Sequence, residues 1–178
     1  MIEWVSGEQT DRGIVKVDVA KKTVTTRFGD THKADVLNLI PAQKAGKIAF
    51  DAGLTGSGDW CAVDLATFES KVHPGIHVIG DACGAATMPK SGYAANSQAK
   101  VAVEAIVALL KGQKPGTPSY VNTCYSIVGK DYGISVANVY QLAQDDKGAP
   151  VIKAVSGGVS PANASAEYRR REVEYAHS

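Results

Sequence analysis

The stretch HVIGDACGAATMPKSGYAANSQAKVAVEAIVALLKG, residues 77–112, limits the possible folds of this chain more than any other. A short β-branched run over 76–79 ends on Gly80-Asp81, and after a polar loop a long helix starts near Gly92 and stops at Gly112. In an open α/β sheet the residues just past a strand's carboxyl end face the crevice where ligands collect, so Asp81 is predicted to stand in such a crevice. Gly80 lets a ligand come close to the main chain, and an ionised Asp81 accepts hydrogen bonds from the hydroxyls of a polyol or sugar. The first turn of the helix adds unpaired N–H groups and the positive end of its dipole, suited to an anion or a reduced heterocycle. The competing role for Asp81 is a turn acid that bonds nearby backbone amides.

Along the helix Val103, Ile106, Val107 and Leu110 recur at i, i+3, i+4 and i+7, which predicts a buried stripe, with Lys100, Glu104 and Lys111 on a wetter side. Upstream, GIVKVDV and KTVTTRF alternate apolar and polar positions about AKK, and RFGDTHKAD supplies a second turn, so the chain opens as a β-meander. In ADVLNLIPA, Val36, Leu37, Leu39 and Ile40 form a near-continuous apolar run stopped by Pro41, the pattern of a strand covered on both faces. Residues 42–60 are small, polar and Gly-rich, a connector with a short helix in QKAGKIAFDAG that ends near Gly53. Residues 62–64 read as extended, and His73-Pro74-Gly75 as a turn.

Past the long helix, GQKPGTPS carries two prolines and two glycines and reads as a hinge between two bodies. Beyond it YSIVGKDYGISVANVYQL and APVIKAVSGG have the aromatic and β-branched content of a second meander. NASAEYRRREVEYAHS closes as a charged helix capped by Asn163 or Ser165, its RRRE run an exposed face or, alternatively, a dock for an acidic partner.

Composition excludes several classes. With 44% hydrophobic residues, 21% charged residues and a formal net charge of +1, the chain is globular in character and shows no basic excess for nucleic acid or an anionic membrane. No run approaches the roughly 18 apolar residues of a membrane span. The N-terminal MIEWVSGEQT has neither a basic n-region nor an apolar h-region, so the protein is expected to stay inside the cell or to carry its export signal upstream. Cys61, Cys83 and Cys124 are odd in number and widely spaced, which fits neither a disulfide framework nor a CxxC metal site. No metal is expected, and at least one thiol lacks an internal partner. Each cysteine reads as a small buried hydrophobe or as a reactive thiol, and His73 and His77 as surface or capping residues.

The segment THKADVLNLIPAQKAG through AVEAIVALLKG, followed by GTPSYVNTCYSIVGKDYGISV, resembles the C-terminal part of the flavoprotein subunit of flavocytochrome c sulfide dehydrogenase. HVIGDA, MPKSGYAANSQ, LLKG and NTCYSI stand in that family's order and close to its spacing, over nearly the whole chain. More broadly the arrangement is similar to flavoprotein disulfide reductases and sulfide:quinone reductases. The resemblance implies an α/β fold with added antiparallel β, in which a partial FAD/NAD(P)-binding-type fold is joined to a C-terminal interface domain. Residues 1–60 would end a second nucleotide-binding-type domain, 61–114 would supply the returning strand and helix of the FAD-binding domain, and 115–178 would form the interface domain.

The resemblance also implies an FAD site. Asp81 is similar to the acid that binds the ribityl chain, with Gly80 and Ala82 shaping its turn. Pro89, Lys90, Ser91, Gly92, Tyr93 and Ala94 would pass beside the isoalloxazine ring, the helix N-terminus lying near the side where reduced flavin is negative. Lys90 would neutralise reduced flavin or an anionic substrate, or else be a solvated lysine. Pro41 and Gln43 resemble a loop that crosses near the flavin, and Cys83 a packing residue behind Asp81. Cys124 resembles one half of the family's redox-active disulfide and is the implied catalytic residue, which requires an accessible, electropositive setting.

By the same resemblance the full-length protein oxidises sulfide at a disulfide beside FAD and passes electrons to a c-type cytochrome subunit in the periplasm. The G-x-G-x-x-G strand–turn–helix fingerprint is not in this sequence, since GLTGSGD at 53–59 has the wrong glycine spacing. The family's second disulfide cysteine and its flavin-linked cysteine are expected upstream, and relatives continue past EYAHS. The chain is therefore expected to be the distal half of an enzyme, inactive without its N-terminal half. Two other readings stand beside this one. A sulfide:quinone oxidoreductase-like enzyme would carry amphipathic C-terminal segments, for which EYRRREVEY is too polar. A non-enzymatic interaction or dimerisation module would use its meanders to bind another subunit.

Overall fold

The structure, a computed structural model, describes residues 13–85 and 87–178. The N-terminal decapeptide discussed above lies outside them. Among the described residues the fold is mixed α/β with two three-stranded antiparallel sheets, and the chain divides into two compact units, Met1–Gln43 and Lys44–Ser178.

The first unit holds the expected meander: β1 (Ile14–Asp18), β2 (Thr23–Thr26) and β3 (Thr31–Lys33), in the order β1-β2-β3. Asp18 closes its first turn by accepting the Lys21 N–H at 2.9 Å. The ADVLNLIPA run is not a strand, and Val36 and Ile40 are 85% and 78% exposed. An apolar run becomes a strand only where a neighbour takes its N–H and C=O groups, and past Ala34 and Asp35, which meet Lys22, this run has no main-chain partner among the described residues.

The second unit runs through α1 (Lys47–Asp51), a 3-10 turn (Gly80–Ala82), α2 (Gly92–Leu110), β4 (Ser119–Gly129), β5 (Tyr132–Gln144), β6 (Pro150–Val159) and α3 (Ala166–His177). The short α1 and the second meander lie where the sequence predicts them. Strands β4, β5 and β6 pair in that order, and Asp145 shapes the last connection by accepting the N–H groups of Lys147 and Ala149. Alternation along β4 sends Tyr120, Asn122 and Cys124 to one face, opposite Tyr140, Asn138 and Val136 of β5. At one end of this face Tyr120, Tyr140 and Ile152 pack with Val63, Leu65, Phe68, Met88 and Val101. Tyr120 meets Phe68 edge-on at 5.9 Å and donates its hydroxyl to the Leu65 carbonyl. This shared core spans the GQKPGTPS segment, which is a connector inside one unit, and the division falls instead after Gln43.

Two further expectations change. Residues 76–79 form no sheet strand: they make isolated contacts with residues 68–70, through Ser70 N–H to Ile76 O at 2.7 Å and Val78 N–H to Phe68 O at 2.9 Å. Asp81 therefore follows an extended segment and sits on a 3-10 turn, not at the end of a parallel strand. Helix α2 buries Ala94, Gln98, Val101, Ala102 and Ala105, whereas Val103, Val107 and Leu110 of the predicted stripe are exposed. Small residues let α2 approach the rest of the unit closely, and the bulkier stripe faces away from that contact.

Helix α3 is capped by Ser165, whose Oγ accepts the Tyr168 N–H at 3.1 Å. It lies on the other face of the sheet at Gly133, where a Cβ would stand 2.6 Å from the Glu172 carbonyl carbon. Its RRRE run is not a uniformly exposed face. Arg169 lies 4.3 Å over the Tyr132 ring and Glu172 is buried, because the helical period turns every third or fourth residue toward the sheet. No helix among the described residues is long and apolar enough to cross a membrane.

Candidate functional site

The Gly80–Gly84 turn is held from two sides. Gly80 adopts φ +73°, which favours glycine, and its N–H donates to Oε1 of the buried Gln98 on α2 at 2.7 Å. The Cys83 thiol lies 3.5 Å from the same oxygen. From the other side the Lys90 ammonium donates to the carbonyls of Asp81 at 2.6 Å and Cys83 at 3.0 Å, and sits 3.7 Å above the Trp60 ring. Lys90 thus braces the turn, a role its sequence context did not reveal. The Asp81 carboxylate is exposed and makes none of the backbone bonds of a turn acid among the described residues. It is left as an acceptor directed by a fixed main chain.

Cys61 and Cys83 are fully buried and face each other across a parallel bridge, closed by Cys61 N–H to Ala82 O and Gly84 N–H to Cys61 O, both 2.9 Å. Burial pushes both thiols up, Cys83 from 9.0 to about 11, against the opposing charge of Lys90. Burial and the nearby Asp64 push the Tyr120 hydroxyl above its ordinary 10.0. Below pH 9 folded and unfolded chains both keep these protons. Above it the unfolded chain releases them first, so stability is expected to fall as pH rises from 9 through about 11. Urea midpoints measured across that range should decline, and Cys83→Ala should flatten part of the decline.

The first turn of α2 carries the second half of the site. Ser91 caps the helix by accepting the Ala94 N–H at 3.1 Å, and its hydroxyl donates to Asn122 Oδ1 at 2.5 Å. Asn122, fully buried on β4, places Nδ2 3.5 Å from the sulfur of Cys124. Cys124 is half-buried, opposite Val136. Sequence reasoning missed Asn122, and its position two residues before Cys124 on a strand, hence on the same face, was the available signal.

The remaining predicted residues divide clearly. Ala82 and Pro89 are half-buried, Gly92 and Tyr93 are exposed at the helix start, and Ala94 is buried beneath it. Pro41 and Gln43 are exposed and belong to the first unit, whereas all the others belong to the second. His77 donates its Nδ1–H to the Thr67 carbonyl at 2.8 Å, a structural contact. A groove of about 390 Å³ between α2 and the start of β4 is lined by Tyr93, Ser97, Lys100, Pro118 and Val121 and includes neither Asp81 nor Cys124.

These residues suit a hydroxyl-bearing cofactor that becomes negative when reduced. The open carboxylate of Asp81 can accept hydroxyls, the first-turn amides of α2 other than that of Ala94, which Ser91 accepts, have no intrahelical acceptor and lie at the positive end of a 19-residue dipole, and a half-exposed thiol stands on the neighbouring strand. Two family models match the chain. The model described as flavocytochrome c sulphide dehydrogenase, flavin-binding, matches residues 116–178, and that described as the central part of the sulfide dehydrogenase [flavocytochrome c] flavoprotein chain matches residues 1–41. The chain belongs to this flavoprotein family. The two matches together span more than half of the sequence, and the flavin-binding match identifies flavin as the cofactor of the full-length protein. That match covers β4, β5, β6 and α3, and so includes both Asn122 and Cys124.

Proposed function

We propose that this chain is the distal part of an FAD-dependent sulfide dehydrogenase of the flavocytochrome c type. The observation that carries this reading is a double attachment about α2: Lys90 just before the helix and Gln98 within it hold the Asp81 turn, and the capping Ser91 holds Asn122 of the Cys124 strand. Asp81 would hold ribityl hydroxyls, Gly80 and Ala82 would give the cofactor room at the main chain, and residues 89–94 would border its ring system. Bound flavin would supply a centre that takes two electrons and releases them singly, which suits a haem acceptor.

The protein's own chemistry is at sulfur. Hydrosulfide attacks a disulfide made by Cys124 and a cysteine outside this chain; the old S–S bond breaks as a new one forms, and one thiolate leaves. Cys124 is half-exposed and is linked through Asn122 to Ser91 at the start of α2, so its sulfur is open to attack from one side. The acceptor in this reading is a c-type cytochrome subunit, the compartment is the periplasm, and the isolated chain lacks activity.

Purified alone and supplied with FAD, the chain should show neither tight flavin binding nor sulfide-dependent haem reduction. A stable flavin absorption band together with turnover would overturn the distal-half reading. In the complete flavoprotein, Asp81→Ala should weaken flavin retention roughly 10- to 100-fold, the loss of hydrogen bonds to a charged acceptor. Unchanged flavin content per chain would remove Asp81 from the site.

A further inference from the structure

Among the described residues, Asn122 is a fully enclosed amide on a strand face whose other buried positions are Tyr120, Tyr140 and Ile152. Enclosing an amide is costly unless its groups are bonded, so the bonds it makes show what it does there. The Ser91 hydroxyl, itself held by the Ala94 N–H, donates to Oδ1 at 2.5 Å. With Oδ1 accepting the Ser91 hydroxyl, Nδ2 lies 3.5 Å from the Cys124 sulfur, which is also 3.7 Å from Oδ1. A continuous relay therefore runs from the cap of α2 through Ser91 and Asn122 to the thiol.

We propose that Asn122 is the positioning residue for Cys124, tying its sulfur to the N-terminal turn of α2 and donating an N–H to it whenever it carries negative charge. The proposal rests on Cys124 as the reacting sulfur and adds a second residue to that chemistry. A neutral donor at this point favours the thiolate and aims it, whereas a carboxylate in the same place would oppose it. The amide also makes the position of the sulfur depend on the helix cap, which anchors the same helix start that holds the Asp81 turn.

The test uses the full chain and the rate of alkylation by iodoacetamide, which reads Cys124 because Cys61 and Cys83 are fully buried. Asn122→Asp keeps the shape and removes the donor, and is expected to slow alkylation about tenfold or more, the effect of a hydrogen bond to a charged group. Ser91→Ala frees the amide to turn and is expected to slow it severalfold, with Ser91→Thr restoring the rate. A purely structural Asn122 would change stability and leave these rates alone. Wild-type rates in both Asn122→Asp and Ser91→Ala, with folded circular dichroism spectra, overturn the proposal; should Asn122→Asp fail to fold, the Ser91 pair decides. Failure of the wider functional reading is distinguishable: alkylation would respond as stated, yet sulfide turnover in the complete flavoprotein would survive loss of the Cys124 thiol.

Discussion

Replacing Cys124 by serine in the complete flavoprotein is expected to lower sulfide-dependent haem reduction on the order of a thousandfold or more, with flavin still bound. The reason is one of bonding. In the proposed mechanism hydrosulfide displaces a thiolate by sulfur–sulfur exchange, which a hydroxyl cannot enter, so the substitution would remove that step and not merely slow it. Little else should change, because Cys124 is half-buried and the substitution conserves shape on a strand held by ten paired positions of β5. Stopped-flow haem reduction and the flavin spectrum of the same preparation separate the two effects. Undiminished turnover would assign the chain to an interaction module, a reading to which the exposed Val103, Val107 and Leu110 of α2 would then belong.

Gly157→Val is expected to destabilise the second unit by about 4 kcal/mol or more, lowering its melting midpoint by roughly 10 °C. Gly157 sits in β6 at φ +107°, a conformation that side chains rarely adopt, and a Cβ there would lie 2.0 Å from the Ala137 carbonyl oxygen and 2.8 Å from the Asn138 Cα. Both obstacles are backbone, so no rotamer change relieves them. Gly157 pairs with Asn138, beside a register shift between Val139 and Tyr140, where β6 bends across β5. Gly148, at φ +80° with open space around it, is the control: Gly148→Ala should cost only about 1 kcal/mol. Equal midpoints for the two variants, measured by thermal melts, would show that β6 does not approach β5 as described.

The local elements of this protein could be read in its sequence. Alternation about AKK and RFGD marks the first meander, the β-branched run after Pro118 marks the second, and Ser165 marks the start of α3. These signals are short-range: turn residues, caps and period-2 patterning act within a few positions of the chain. The motifs HVIGDA, MPKSGYAANSQ and NTCYSI likewise pointed to the family that the comparisons identify.

Tertiary structure decided which apolar surfaces are covered and which polar groups meet. ADVLNLIPA and residues 76–79 have strand composition but lack sheet neighbours, and a strand exists only through its partners. The apolar stripe of α2 has helical period, yet the helix buries its alanine-lined side, since burial depends on what lies opposite and not on side-chain hydrophobicity alone. Lys90 on the Asp81 and Cys83 carbonyls is a contact over seven to nine residues, and Ser91 on Asn122 spans 31. Periodicity cannot encode either one, because each depends on where the folded main chain brings a carbonyl or an amide within 3 Å.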